Sequence, residues 1–425
     1  MALSTPEQLK NAVIYQIFPR NFSIEGTFSG VTEQLPYLNN LGVDIVWFTP
    51  IHPIGKKNRK GTYGSPYSIQ DYYKIDPELG SKSDFRALID KAHNLGIKIM
   101  IDIVFNHTSR DSLLLKEHPE WFYKNKEGLI DTKVSDWSDV YDLDFSRIEL
   151  WEYLISVLEF WVDFGVDGFR CDVAPVLPME FWIEARKRLN KKKEIIWLAE
   201  SIEPFFIQHL RRQGFYAASD SELYSAFDLT YDYDSFELLK QVFAGRLPLS
   251  AYLSYISIQP SLFPDHAVKM RFLENHDNYR AADIIQGTER LYNWSLFYML
   301  LPGSTLIYMG QEYRIVKYPD LFEKDTVPWE NGKKDFNRFF IKALKTVREI
   351  KPEINKMNIK EIASGIIEIS WKKGSNTYTA FCNLENRYGT APLNKPVKGK
   401  DLLTNKDVTY SNKIPIPKHP LIIEQ

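Results

Sequence analysis

The chain contains only two cysteines, Cys171 and Cys382, in 425 residues. That is no disulfide framework, which excludes a small scaffold stapled by bridges. Charge of either sign is not in excess, the formal net charge being -2. No long-range field therefore favours nucleic acid or an anionic membrane. No apolar run is long enough to span a bilayer. The first residues, "MALSTPEQLKNAVIYQIF", lack the basic segment and apolar stretch of a secretory leader. A soluble, cytoplasmic protein is expected, with no nucleic-acid or membrane partner. Internal repeats and low-complexity tracts are absent. So are H-x-H and H-E-x-x-H spacings, and no metal is expected. One basic cluster, "RKRLNKKKE" (Arg186 to Glu194), reads as a phosphate patch or as the solvated end of a helix. The helix end is favoured, because cations suit its dipole.

What the chain has in abundance is aromatic residues: 10 Trp, 24 Tyr and 26 Phe. They fill cores, and they also suit flat, weakly polar ligands such as sugar rings. Short β-branched or aromatic runs alternate with amphipathic stretches. The strand candidates are "AVIYQIF", "VDIVWF", "KIMIDIV", "DGFRC", "EIIWLA", a weaker one near "SAFDL", "VKMRFL" and "STLIYMG". Strand then helix, repeated about eight times, predicts a parallel (β/α)8 TIM barrel. A doubly wound sheet would need a Gly-rich phosphate turn after its first strand, and none is there. Beyond Lys351 the pattern alternates, with turn signals at Ser364-Gly365 and Gly374-Ser375-Asn376. This predicts a C-terminal antiparallel β-sandwich domain. The expected organisation is a barrel over residues 1–107 and 146–350, a short inserted B subdomain over 108–145, and the β domain over 351–425.

In such a barrel the chemistry sits at the C-terminal ends of the strands. Those ends carry Asp102, Asn106 and His107; Arg170 and Asp172; Glu200; Glu274, His276 and Asp277; and Gln311 and Glu312. Any one of them alone reads as a helix cap or a structural ion pair. Carboxylates from several strands converging on one mouth repel, and a fold keeps them for a metal or for acid/base work. "VDGFRCDVAPV" (Val166 to Val176) is the informative stretch. It sets Arg170 two residues before Asp172 in an apolar run, on one face of a strand. The guanidinium would keep Asp172 ionised, as a nucleophile needs, and would itself repel a metal cation. Glu200 follows "IIWLA", an apolar lead-in expected to raise its pKa and suit it as a general acid. Two carboxyls tuned in opposite directions point to glycosidic bond cleavage.

These motifs resemble the α-amylase family, glycoside hydrolase family 13, and within it an intracellular, maltogenic type. "DIVFNH", "GFRCDVA", the Glu of "LAES" and "ENHD" resemble its four conserved blocks, in order. "GVDIVWFTP", "VIYQIFPRNF", "SPYSIQDYY" and "PGSTLIYMGQE" resemble weaker ones. The resemblance implies that Asp172 is the nucleophile and Glu200 the acid/base. Asp277 would hold sugar hydroxyls and help distort the ring. His107 and His276 would bond the sugar, Arg170 would position Asp172, and Tyr67 would stack on the ring. Asp102 would organise the site, and Asn106 matches a calcium-ligand position. The implied substrate is an α-glucan oligosaccharide, cleaved at α-1,4 bonds with retention. No cofactor is expected; a structural calcium is not supported by so short an insert. The chain departs from the family pattern at Pro175-Val176, where many members carry Lys-His, and at "SPY", where "GYD" is commoner. Water and a sugar attack the same intermediate, so hydrolysis and 4-α-glucanotransfer stay open. A non-catalytic barrel subunit is the third reading. Endo or exo attack and oligomeric state are not readable from the sequence.

Overall fold

Eight short, almost wholly buried runs form the parallel strands of a closed barrel in a computed structural model, which describes residues 5–134, 136–351 and 356–425. The first three are β1 (Val13–Ile17), β2 (Ile45–Phe48) and β3 (Lys98–Ile103). A two-stranded ribbon of β4 (His107–Ser109) and β5 (Val140–Asp142) then brackets the inserted segment. Next come β6 (Gly168–Cys171), β7 (Ile196–Ala199), β8 (Leu229–Tyr231), β9 (Val268–Arg271) and β10 (Ser304–Tyr308). The barrel order is β1-β10-β9-β8-β7-β6-β3-β2. Two corrections follow. The weak candidate near "SAFDL" lies upstream of the real strand, which shares only Leu229 with it. Arg186 is not part of a solvated helix end: it is buried and pairs with Asp228 at 2.7 Å, while Lys187 beside it is exposed.

Contacts divide the chain into two compact units. One comprises residues 1–6, 14–231 and 319–327; the other comprises 7–13, 232–318 and 328–425. In the first unit, helix Lys82–Asn94 starts at Ser81, whose side chain accepts from the Asp84 N–H while Asp84 reaches back, a reciprocal cap. Helix Ile148–Asp163 buries Leu150, Leu154, Leu158 and Trp161 at helical spacing. The Trp161 indole donates to the Tyr72 carbonyl at 2.9 Å, fixing the helix to the loop after β2.

In the second unit, helix Thr288–Leu300 is buried all round from Leu291 onward, as its apolar composition demands. Its one buried amide, Asn293, accepts from the Asn383 N–H at 2.8 Å. The C-terminal strands are β11 (Met357–Ala363), β12 (Ile366–Lys373), β13 (Asn376–Asn383), β14 (Thr390–Pro392), β15 (Val397–Asp401), β16 (Lys406–Tyr410), β17 (Lys413–Pro415) and β18 (Leu421–Glu424). Six form an antiparallel sheet in the order β11-β12-β13-β18-β15-β16, and β14 pairs with β17. Ile366, Phe381 and Ile423 of the large sheet share a core with Ala391 and Ile414 of the small one, so the domain has two layers.

Gly303, entering β10, has φ +119, and a Cβ there would lie 2.1 Å from the Lys269 carbonyl oxygen. Gly303→Ala is expected to destabilise the fold by more than about 1 kcal/mol, since both the backbone and the space forbid a side chain. An unchanged urea midpoint would refute this. Among the described residues no helix is long and apolar enough to cross a membrane.

Candidate active site

Parallel register places Asp102 of β3 beside Arg170 of β6, and Arg170 beside Leu198 of β7. Both charged residues are completely buried. Arg170 reaches its partners with every part of its guanidinium. Nη1 donates to Asp102 Oδ1 at 2.8 Å and to Asp172 Oδ1 at 2.7 Å. Nη2 lies 2.8 Å from Glu200 Oε1, a charge contact without hydrogen-bond alignment. Nε donates to the Tyr231 hydroxyl at 3.1 Å. The rings of Trp47, Tyr67 and Tyr231 surround the cation at 5.4, 5.6 and 5.6 Å. Such rings stabilise a desolvated cation without neutralising it. Burial alone would lower the Arg170 pKa, but Asp102 and Glu200 outweigh it and raise the value, so the charge is permanent.

One cation facing three carboxyls leaves an excess of negative charge. Burial pushes Asp102 up to about 7; Arg170 opposes the shift and the charge of Asp172 adds to it. Tyr67 donates its hydroxyl to Asp102 Oδ2 at 3.1 Å. Asp172 lies just past β6 and Glu200 just past β7; both are slightly exposed, at 6% and 8%. Glu200 has a mixed setting. Its lead-in is apolar, but the carboxyl itself meets donors: Arg170, and the Val173 N–H at 2.6 Å from Oε2. Val173 adopts φ 36, ψ 44. A β-branched residue is rarely found in that left-handed region, and the strain is confined to the turn that aims this N–H.

At the exit of β3, Asn106 and His107 are buried, and His107 lies against Trp137 with ring centroids 5.2 Å apart. Asn106 bonds Asp142 rather than offering an oxygen to a cation. Asp142 accepts from Asn106 Nδ2 at 3.3 Å, Thr132 Oγ1 at 3.2 Å and the Lys133 N–H at 2.9 Å. A calcium ion needs a shell of oxygen acceptors. Here Asp142 already accepts three hydrogens.

In the second unit, His276 and Asp277 follow β9. His276 is buried, its Nε2 3.2 Å from Asp277 Oδ2, whereas the Asp277 side chain is 41% exposed. Their turn is fixed by Asn275, which takes the Asp277 N–H at 2.9 Å and donates to the Tyr233 hydroxyl at 3.1 Å. The Tyr318 hydroxyl donates to the His276 carbonyl. Three other polar strand-end residues have local partners. Glu274 pairs with Arg280 at 2.6 Å, Gln311 bonds Tyr298, and Glu312 takes the Gly310 N–H. The first unit thus gathers Tyr67, Asp102, Arg170, Asp172 and Glu200 into one network. Sequence reasoning missed Tyr231, Trp47, the Val173 N–H and Asp142. Only Trp47 left a signal there, as the residue before the end of a strand read from "VDIVWF".

A parallel barrel that assembles carboxylates round a buried cation at its strand ends is an enzyme barrel. The family model described as alpha amylase, catalytic domain, matches residues 16–139 and 121–349. An alpha-amylase of known structure from Lactobacillus plantarum is 42% identical, with a TM-score of 0.92 over 98% of this chain and 99% of that one. A noncanonic maltogenic alpha-amylase, AmyB, from Thermotoga neapolitana is 33% identical, with a TM-score of 0.88 over 98% and 99%. Alpha-amylase MalA from Haloarcula japonica is 27% identical over 82% of this chain, which spans only 50% of that relative's length. The chain belongs to the alpha-amylase family of glycoside hydrolases.

Proposed function

We propose that the chain hydrolyses α-1,4-glucosidic bonds of maltodextrins by double displacement, with retention of configuration. One observation carries the reading. A single buried guanidinium grips Asp172 and Glu200 through its two terminal nitrogens, at 2.7 and 2.8 Å. That supports the close pairing of about 5 Å used for retention, not the wider gap that admits a water between the carboxyls.

In the first step, Asp172 attacks the anomeric carbon as the glycosidic bond breaks, and Glu200 delivers a proton to the departing oxygen. The ion contact holding Glu200 must loosen as it takes up that proton. The covalent glycosyl-aspartate then meets water, which Glu200 deprotonates. The water oxygen bonds to the anomeric carbon and Asp172 leaves as a carboxylate. Arg170 supports Asp172 in its anionic states, before attack and after release. His107 binds a sugar hydroxyl, and Tyr67 offers a ring to the sugar.

Proton NMR of the first products from maltoheptaose tests this. The α-anomer is expected before mutarotation, with chains shorter than the substrate. Initial β-anomer would overturn the mechanism. Chains longer than the substrate at high maltotriose would instead assign a glucanotransferase built on the same intermediate.

A further inference from the structure

Asp142 sits in the inserted segment, opposite His107 in the β4–β5 register, and is 1% exposed. It receives the Asn106 side-chain amide at 3.3 Å, and the same Nδ2 lies 3.1 Å from His107 Nδ1. An ionised carboxylate can only accept. The Asn106 carbonyl turned toward it would set two acceptors against each other, so Asp142 decides which way the amide faces. The Thr132 hydroxyl and Lys133 N–H, at 3.2 and 2.9 Å, hold the carboxylate in place for that purpose. Once Nδ2 faces His107, Nδ1 of the ring must accept, and the proton of the neutral imidazole goes to Nε2.

We infer that Asp142 is a positioning residue that sets the tautomer of His107 through Asn106, making Nε2 a hydrogen-bond donor. The carboxylate thus locks the amide, and their bond ties the insert to the barrel at this strand exit. The catalytic consequence rests on the function proposed above, because a donor at Nε2 matters if His107 meets a sugar oxygen. The tautomer itself does not depend on that reading.

The test is nitrogen NMR of the full chain labelled at its eight histidines, with His107→Gln to assign the His107 signals. The wild type is expected to show a protonated Nε2 and an unprotonated Nδ1 at His107 above neutral pH. In Asp142→Asn the amide loses its directing charge, and the two nitrogens should shift toward mixed values. On maltoheptaose this variant is expected to lose roughly tenfold or more in kcat/KM, as loss of an outer partner typically costs. A thermal midpoint near that of the wild type would separate this from misfolding. If the variant unfolds, Asn106→Asp provides the second reading: its carboxylate cannot donate to Nδ1, so His107 should switch to Nδ1–H. A wild-type Nδ1–H tautomer, or identical His107 shifts in wild type and Asp142→Asn, would overturn the inference whatever the activity. Calcium or a chelator is expected to leave the wild-type midpoint unmoved; a calcium-dependent rise abolished in Asp142→Asn would show the carboxylate to be a ligand instead.

Discussion

Asp172→Asn is expected to abolish turnover of maltooligosaccharides, by roughly 10^4-fold or more, while leaving the fold intact. The expectation has two parts. An amide cannot form or release the glycosyl ester, so the first covalent step is lost. Its oxygen can still accept from Arg170 Nη1, the bond made at 2.7 Å by the native carboxylate. The variant also removes one negative charge from a cluster in which three carboxyls share one cation. Its thermal midpoint should therefore be unchanged or raised. Glu200→Gln separates the second role. It should be nearly inactive on maltooligosaccharides, whose leaving group needs a proton, yet should still release an activated aryl group in a first burst. Near-normal turnover in Asp172→Asn would refute the nucleophile assignment. Equal losses on both substrates for Glu200→Gln would refute the acid assignment.

Arg170→Met should cost stability more than any other single change in the site. The native side chain is fully buried, and its loss leaves Asp102, Asp172 and Glu200 facing one another without a counter-charge. Breaking a buried ion network in this way typically costs about 3–5 kcal/mol. The deficit should depend on pH, and its sign follows from linkage. Without the cation, which opposes the shift, the folded-state pKa of Asp102 rises still further above its unfolded value. A raised carboxyl contributes stability below its unfolded pKa and loses it as pH rises through the folded one. Asp102 is already pushed up to about 7 with Arg170 present. Urea denaturation should therefore show the largest gap between Arg170→Met and wild type near pH 8, narrowing toward pH 5. A gap that is constant with pH would mean the guanidinium acts by packing alone.

The barrel was legible because seven of its strands are short apolar or β-branched runs flanked by turn signals. The eighth was not: Leu229–Tyr231 is three residues long, and the apolar run nearest to it ends where it begins. The charges of Arg170 and Asp172 could be read because they contradict their surroundings, and a contradiction inside a strand leaves few explanations. The setting of Glu200 could not be read that way. Its donors are a guanidinium from the neighbouring strand and a backbone N–H from a strained turn, and neither is visible in "IIWLAES". Arg186 was misread for a similar reason, since its partner Asp228 is 42 residues away. Asp142 lay unremarked among several acids of the insert. What distinguishes it is the set of three donors that meet it, and one of these, Asn106, is 36 residues upstream.

The ribbon that brackets the insert has a consequence for how such a protein can diversify. His107 and Asp142 face each other in antiparallel register, and Ser109 pairs with Val140 two rungs on. The two ends of the excursion are therefore stapled beside the barrel mouth whatever its middle contains. Lengthening a loop whose ends are already joined adds little closure entropy. The exposed turn of this insert, Lys126 to Leu129, is therefore the place where length and sequence can vary in a library, while Trp137, packed on His107, and the Thr132–Lys133 anchor stay fixed.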